Sequence, residues 1–196
     1  MPETVMTVDT LLSVCLGLGL AAACGFRIFV PLLVMSIASF TGHLELSGQF
    51  AWIGSLPAEI TFSEATVLEI GAYYIPWLDN VLDTVASPAA VIAGVVASAS
   101  VITGMDPYLK WTLAVIAGGG VAGAVHVVSA GARGVSTLTT AGFGNPIVST
   151  VEAGGSVAAS VMAIIAPILT VVLMALFLLF SILAFRRRGG EPVPAG

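Results

Sequence analysis

Arg27 and Arg133 lie inside stretches of chain that otherwise read as membrane-spanning. An arginine at the centre of a bilayer helix costs about 2.5–3.5 kcal/mol on insertion scales, so it persists where it lines a protein interior or a watery cavity. Guanidinium suits bidentate recognition of carboxylate or phosphate. The matching acids are concentrated in residues 63–85, where Glu69 and Tyr73, Asp79 and Asp83, and Asp83 and Ser87 each stand four apart and so share a helix face. Pro76 and Pro88 would deprive the carbonyls of Ala72 and Thr84 of their helical donors. Carboxylates beside freed carbonyls form an oxygen-rich environment that coordinates cations or relays protons. The alternative for Asp79 and Asn80, next to Trp77, is a turn at the membrane surface.

A second polar stripe runs through His126, Arg133, Thr137 and Thr140, with Ser129 and Ser136 beside it, on one face of a helix. It ends at Gly142-Phe143-Gly144-Asn145-Pro146, a turn or helix-break signal that adds Asn145 to the candidate site. An isolated buried charge is costly, so Arg133 is expected to pair with an acid of residues 63–85, or with Glu152 among Gly154, Gly155 and Ser156. Arg27 precedes Pro31 by four, a spacing that would free its carbonyl if the stretch were helical. It reads either as a ligand-binding group or as a structural salt bridge to residues 63–85.

The elements that must position these groups follow from composition. Of 196 residues, 58% are hydrophobic and 9% charged, with mean hydropathy +1.07, against about 25% charged in a soluble domain. Five apolar segments, at about 9–40, 63–85, 88–105, 109–141 and 156–185, define an all-α polytopic membrane bundle with broken or re-entrant helices. A short re-entrant piece could also lie in 41–63 or 143–155. The expected organisation is a tail over 1–8, one transmembrane domain over 9–186 and a cytoplasmic tail over 187–196. Phe50 and Trp52 suggest an interfacial segment within 41–63. Glycines at 17, 19, 118–120, 123, 131 and 134 let helix backbones approach closely. A short echo relates Leu82–Pro88 to Leu138–Pro146, as in transporters built from repeats.

Arg186, Arg187 and Arg188 directly follow the last apolar segment and should stay cytoplasmic. An odd span count puts Glu3 and Asp9 outside and Lys110 inside. The first segment lacks a basic leader and exceeds the apolar length of a signal peptide, so it is retained. A net charge of −5 argues against nucleic-acid partners. Cys15 and Cys24 are nine apart on a helix, too far for a disulfide, and His43 and His126 lack zinc spacing. Phosphate-loop, hydrolase and metallopeptidase motifs are absent, so no cofactor and no enzymatic activity are expected, the alternative being an intramembrane enzyme in which Asp79 and Asp83 bind a metal-diphosphate.

Several groups of residues resemble a known family: Gly25-Phe26-Arg27 with Pro31, Glu69 with Ala72-Tyr73-Tyr74-Ile75-Pro76, Asp79-Asn80 with Asp83-Thr84, Arg133-Gly134 with Ser136-Thr137, and Gly144-Asn145-Pro146. Together, from about residue 10 to 186, they resemble the domain of unknown function four-one-two-six family of small bacterial integral membrane proteins. The resemblance implies a compact helical inner-membrane protein and no established substrate. The residues themselves suggest transport of an ion or small solute through a site of Arg27, Glu69, Asp79, Asn80, Asp83, Arg133, Thr137 and Asn145. The three candidate acids of residues 63–85, Glu69, Asp79 and Asp83, against two arginines favour a cation. Lipid-headgroup handling and a scaffold role are the alternatives, with membrane lipids and a further copy of the chain as expected partners.

Overall fold

The computed structural model describes residues 7–75 and 78–188. Helix α1, Val8–Phe26, opens on Thr7, whose hydroxyl accepts the Thr10 N–H at 3.2 Å. It stops where Arg27 turns extended (φ −146°, ψ 136°). Helix α2, Phe29–Phe40, then restarts with Pro31 in its first turn, where a missing N–H costs no helical bond. A 3-10 stretch, Gly48–Gly54, leads to α3, Leu56–Ala72, and α4 covers Leu78–Val101. Asp106 caps α5, Pro107–Leu113, which continues through a π-helical stretch, Ala114–Gly119, into α6, Gly120–Thr140. Ala141 (φ 51°) and Gly142 (φ 88°) in the left-handed region end that rod. Helices α7, Asn145–Ile165, and α8, Pro167–Arg188, complete the described residues.

Five helical stretches are long and apolar enough to cross a membrane: Val8–Phe26, Val81–Val101, Pro107–Thr140, Asn145–Ile165 and Pro167–Ala184. The expected number stands, but the boundaries do not. Residues 88–101 of the expected 88–105 segment and the end of 63–85 belong to one helix, α4, which passes through Pro88. Membrane helices tolerate such a proline when a hydroxyl takes up nearby backbone polarity, and Ser87 donates to the Asp83 carbonyl at 3.0 Å. The expected 156–185 segment is two helices, divided at Ala166 (φ −139°, ψ 70°) because Pro167 has no N–H to continue α7. Residues 143–155 are the start of α7 rather than a re-entrant piece. The Leu82–Pro88 and Leu138–Pro146 echo has no structural counterpart, since one lies within α4 and the other joins α6 to α7.

Helix α1 is the axis of the bundle. It runs antiparallel to α4, with the Ser98 hydroxyl donating to the Gly17 carbonyl at 3.0 Å and the Thr103 N–H donating to the Ser13 hydroxyl at 3.2 Å. Gly25 fits against Ala122 and Val125 of α6, and Gly19 against Ala163 of α7 and Thr170 of α8. Helix α2 folds back: the Ser47 N–H that follows it donates to the Ser100 carbonyl at 2.8 Å, at the end where α1 began. The α1–α2 unit is thus a helical hairpin whose apex is Arg27 and Ile28. In the 3-10 stretch, Trp52 is exposed while Phe50 is buried, its ring 6.1 Å from that of Trp111.

The depth of that apex can be read against α8. Only 6% of its apolar window is buried, so α8 is the rod most fully given over to lipid. Phe26, one residue before the apex, stacks on Phe177 with ring centroids 5.4 Å apart. Phe177 is about 15 Å along α8 from Pro167, at 1.5 Å per residue, which is the middle of the helix. Lys110 donates to Ser47 at 2.8 Å near the start of α1. Helix α8 runs away from that end, so Lys110 and Arg186 occupy opposite faces and not the same one as expected from the sequence.

Candidate functional site

The apex of the hairpin creates two open helix termini inside the bundle, level with the middle of α8, and charged side chains from four other helices converge on it. Glu69, near the end of α3, accepts the N–H groups of Ile28 at 2.8 Å and Phe29 at 3.0 Å, one on each carboxylate oxygen. A carboxylate there satisfies first-turn donors and complements the positive end of α2. The Ile75 N–H reaches the Ala72 carbonyl at 3.2 Å, so that oxygen is not freed for a ligand as expected.

Arg133 of α6 is the most fully engaged cation. Its Nε donates to Asp83 Oδ2 at 3.1 Å and its Nη2 to Asp83 Oδ1 at 2.6 Å, a bidentate pair across α6 and α4. Its Nη1 donates to Glu152 of α7. Arg27 lies on the other side of Glu152, with Nη2 3.4 Å from Oε2 and 3.2 Å from the Ser149 carbonyl. Glu152 therefore bridges both guanidinium groups, and its second oxygen accepts the Ser129 hydroxyl. Between the arginines stands Tyr73: its ring centroid is 3.9 Å from Arg27 Cζ and 5.0 Å from Arg133 Cζ, and its hydroxyl donates to Asp83 Oδ1 at 3.1 Å. Arg27 is 1% exposed and Arg133 2%, so this is an interior ionic network.

Of the residues expected from the sequence, Arg27, Glu69, Asp83 and Arg133 meet here. Thr137 and Asn145 form an adjoining relay, in which Asn145 Nδ2 donates to the Thr137 hydroxyl at 2.9 Å and that hydroxyl donates to the Arg133 carbonyl at 3.0 Å. Asp79 and Asn80 are in the first turn of α4 by their backbone, but their side chains, like Pro76 and Trp77, fall outside the described residues. Glu152 and Tyr73, absent from the expected site, are its two connecting groups. A stripe in α7 marks the first: Ser149, Glu152, Ser156 and Ser160 recur at three- and four-residue spacing and are all buried. Tyr73 was visible as the partner of Glu69 on α3, but the sequence does not show that its ring separates two distant arginines.

Beside the network, α6 and α8 stand apart over α7 and leave a groove of about 560 Å³. Val128, Val135, Ile147, Phe177 and Phe180 wall it, and Glu152 and Ser129 supply polarity at its deep end. Arg27 and Arg133 are not among its lining residues.

A helical bundle with five apolar crossing-length helices and a five-charge network centred on two buried arginines defines a polytopic membrane protein with a polar centre. The sequence matches the family described as Domain of unknown function (DUF4126) over residues 14–187, and the chain belongs to that family. No curated protein and no solved structure matches it.

Proposed function

We propose that this chain is an integral membrane transport protein, a channel or secondary transporter for an ion or small solute, and not an enzyme. One observation carries the reading: Arg27, Glu69, Asp83, Arg133 and Glu152, from five separate parts of the fold, meet around a broken helix at mid-length of a lipid-facing rod. Polar contacts between membrane helices average only about 0.6 kcal/mol in a measured case, so fold stability alone is a weak reason to keep so many costly groups. Broken helices that meet polar groups at mid-depth are how secondary transporters build binding sites. Glu69 is occupied by the end of α2, so Asp83 and Glu152, held by Arg133 and Arg27, are the acids available to exchange partners as a cation or proton enters. Thr137 and Asn145 would extend the site toward the face where α4 begins.

Membrane lipids and a further copy of the chain are the partners this reading implies, in the bacterial cytoplasmic membrane with the C-terminus inside. An anionic lipid headgroup on the arginines is disfavoured, because each guanidinium already has a carboxylate within 4 Å. Reconstitution in liposomes tests the proposal. Proton or cation flux is expected in wild type and a strong reduction in Asp83→Asn; folded protein that passes no ion or solute tried would overturn it.

A further inference from the structure

The groove between α6 and α8 is the described cavity that reaches the ionic network, and its walls are the wrong surface for a hydrated ion. Stripping water from an inorganic ion along Val128, Val135, Phe177 and Phe180 would go uncompensated. The groove runs from Phe26 and Phe177, at mid-length of α8, to Ala184, about 10 Å nearer the C-terminal face. Its sides are open to lipid, for Val151 is 69% exposed and Phe180 74%. Its volume suits a small organic molecule, as ligand pockets hold about 300–1,000 Å³. What waits at the deep end is a carboxylate, Glu152, with the Ser129 hydroxyl, whereas neither arginine lines it. Glu152 already spends its charge on two guanidinium groups, but a carboxylate has about four lone-pair sites and here three contacts are made.

We infer that the solute is a lipophilic amine or a similar organic cation, which enters sideways from the acyl-chain layer and places an N–H donor on Glu152. The apolar body lies along α8 and the charged head meets Glu152, the one acid among the groove's lining residues. The inference rests on the transport reading for movement, but the binding site stands on the groove itself. Toward the middle of α1 the bundle is closely packed, where Gly17 meets Ser98, and Gly19 meets Ala163 and Thr170, so the groove is approached from the C-terminal half of α8.

The test uses the full chain in nanodiscs of neutral phosphatidylcholine, with a diazirine-bearing octylamine as photoprobe and peptide mapping as readout. Saturable labelling of α7 and α8 peptides that line the groove is expected, competed by octylamine at least about tenfold better than by octanoate. Ala132→Trp fills the groove from a position that itself carries no ionic side chain and should weaken labelling by about tenfold or more. Glu152→Gln, where it elutes as a monodisperse species, should lose the preference for amine over octanol. Labelling spread evenly around α8, octanoate competing as well as octylamine, or an unaffected Ala132→Trp would each overturn the inference. Cation flux without groove labelling removes the amine and leaves transport standing; groove labelling with no amine movement in liposomes keeps the site and removes transport.

Discussion

Arg133 and Tyr73 touch the same carboxylate, and the difference in what each loss leaves behind separates a charge effect from a hydrogen-bond effect. Removing the Arg133 side chain would leave Asp83 without its bidentate partner and Glu152 without its Nη1 donor, all inside the bundle. Breaking a buried ion pair from one side costs about 3–5 kcal/mol, because the stranded charge has no water to return to. Tyr73→Phe removes only the hydroxyl donated to Asp83 and keeps the ring against both guanidinium groups, a loss of about 0.5–1.5 kcal/mol. Thermal unfolding in detergent should therefore show a large drop in Tm for Arg133→Ala and a small one for Tyr73→Phe. Adding Asp83→Asn to Arg133→Ala should recover part of the drop by neutralising the stranded acid. Equal melting of Arg133→Ala and wild type would mean that solvent already reaches the network. The arginines were legible because their bilayer cost is a property of the side chain alone. Glu152 was harder to rank, since its importance lies in bridging residues 27 and 133, a relation of position rather than composition.

At the scale of elements, apolar periodicity revealed that the chain is helical and crosses the membrane several times, but it did not place the breaks. Ala166–Pro167 lies in an apolar run that continues on both sides, so hydropathy carries no mark of the turn between α7 and α8. Pro88 is the reverse case, a strong local breaker accommodated inside α4. The glycines show the same division. A Cβ on Gly94 would lie against Ala122 and 2.9 Å from the Gly118 carbonyl, and one on Gly25 would be 2.5 Å from the Ala122 carbonyl, a backbone atom that cannot swing away. Nothing lies within 4 Å of that position on Gly120 or Gly134, although both sit in the same glycine-rich helix. Gly94→Ala and Gly25→Ala should force α1, α4 and α6 apart, at about the 1–3 kcal/mol typical of overpacking. Gly134→Ala should be neutral or slightly stabilising, since alanine favours an exposed helix by about 1 kcal/mol over glycine. The yield of monodisperse protein and its Tm in detergent measure both. A uniform response across these glycines would argue against α1 as the tightly packed axis.

The whole molecule places its few positive charges at odds. Lys110 is fixed to Ser47 near the beginning of α1, and Arg186 lies in the last turn of α8, with Arg187 and Arg188 next in sequence. Positive charges near the ends of spans favour the cytoplasmic side, so Lys110 pulls against the three arginines. Three charges against one should give the wild type the single orientation proposed above, with the C-terminus inside and α1 entering from the outer face. The balance is narrow, because the chain has only six lysines and arginines, and Arg27 and Arg133 are locked in the interior. Replacing Arg186, Arg187 and Arg188 with alanine should leave Lys110 as the main topological signal and give a mixture of orientations. Adding Lys110→Gln should reduce the inverted share again. Protease protection of a C-terminal tag in cells reads the outcome directly: fully protected in wild type, partly cleaved from outside in the triple variant, and more protected once Lys110 is also removed. If the triple variant stays fully protected, then orientation is fixed by packing of the helices around α1 rather than by loop charge. A wild-type tag cleaved from outside would instead invert the molecule, and the groove beside α8 would then open toward the outer leaflet.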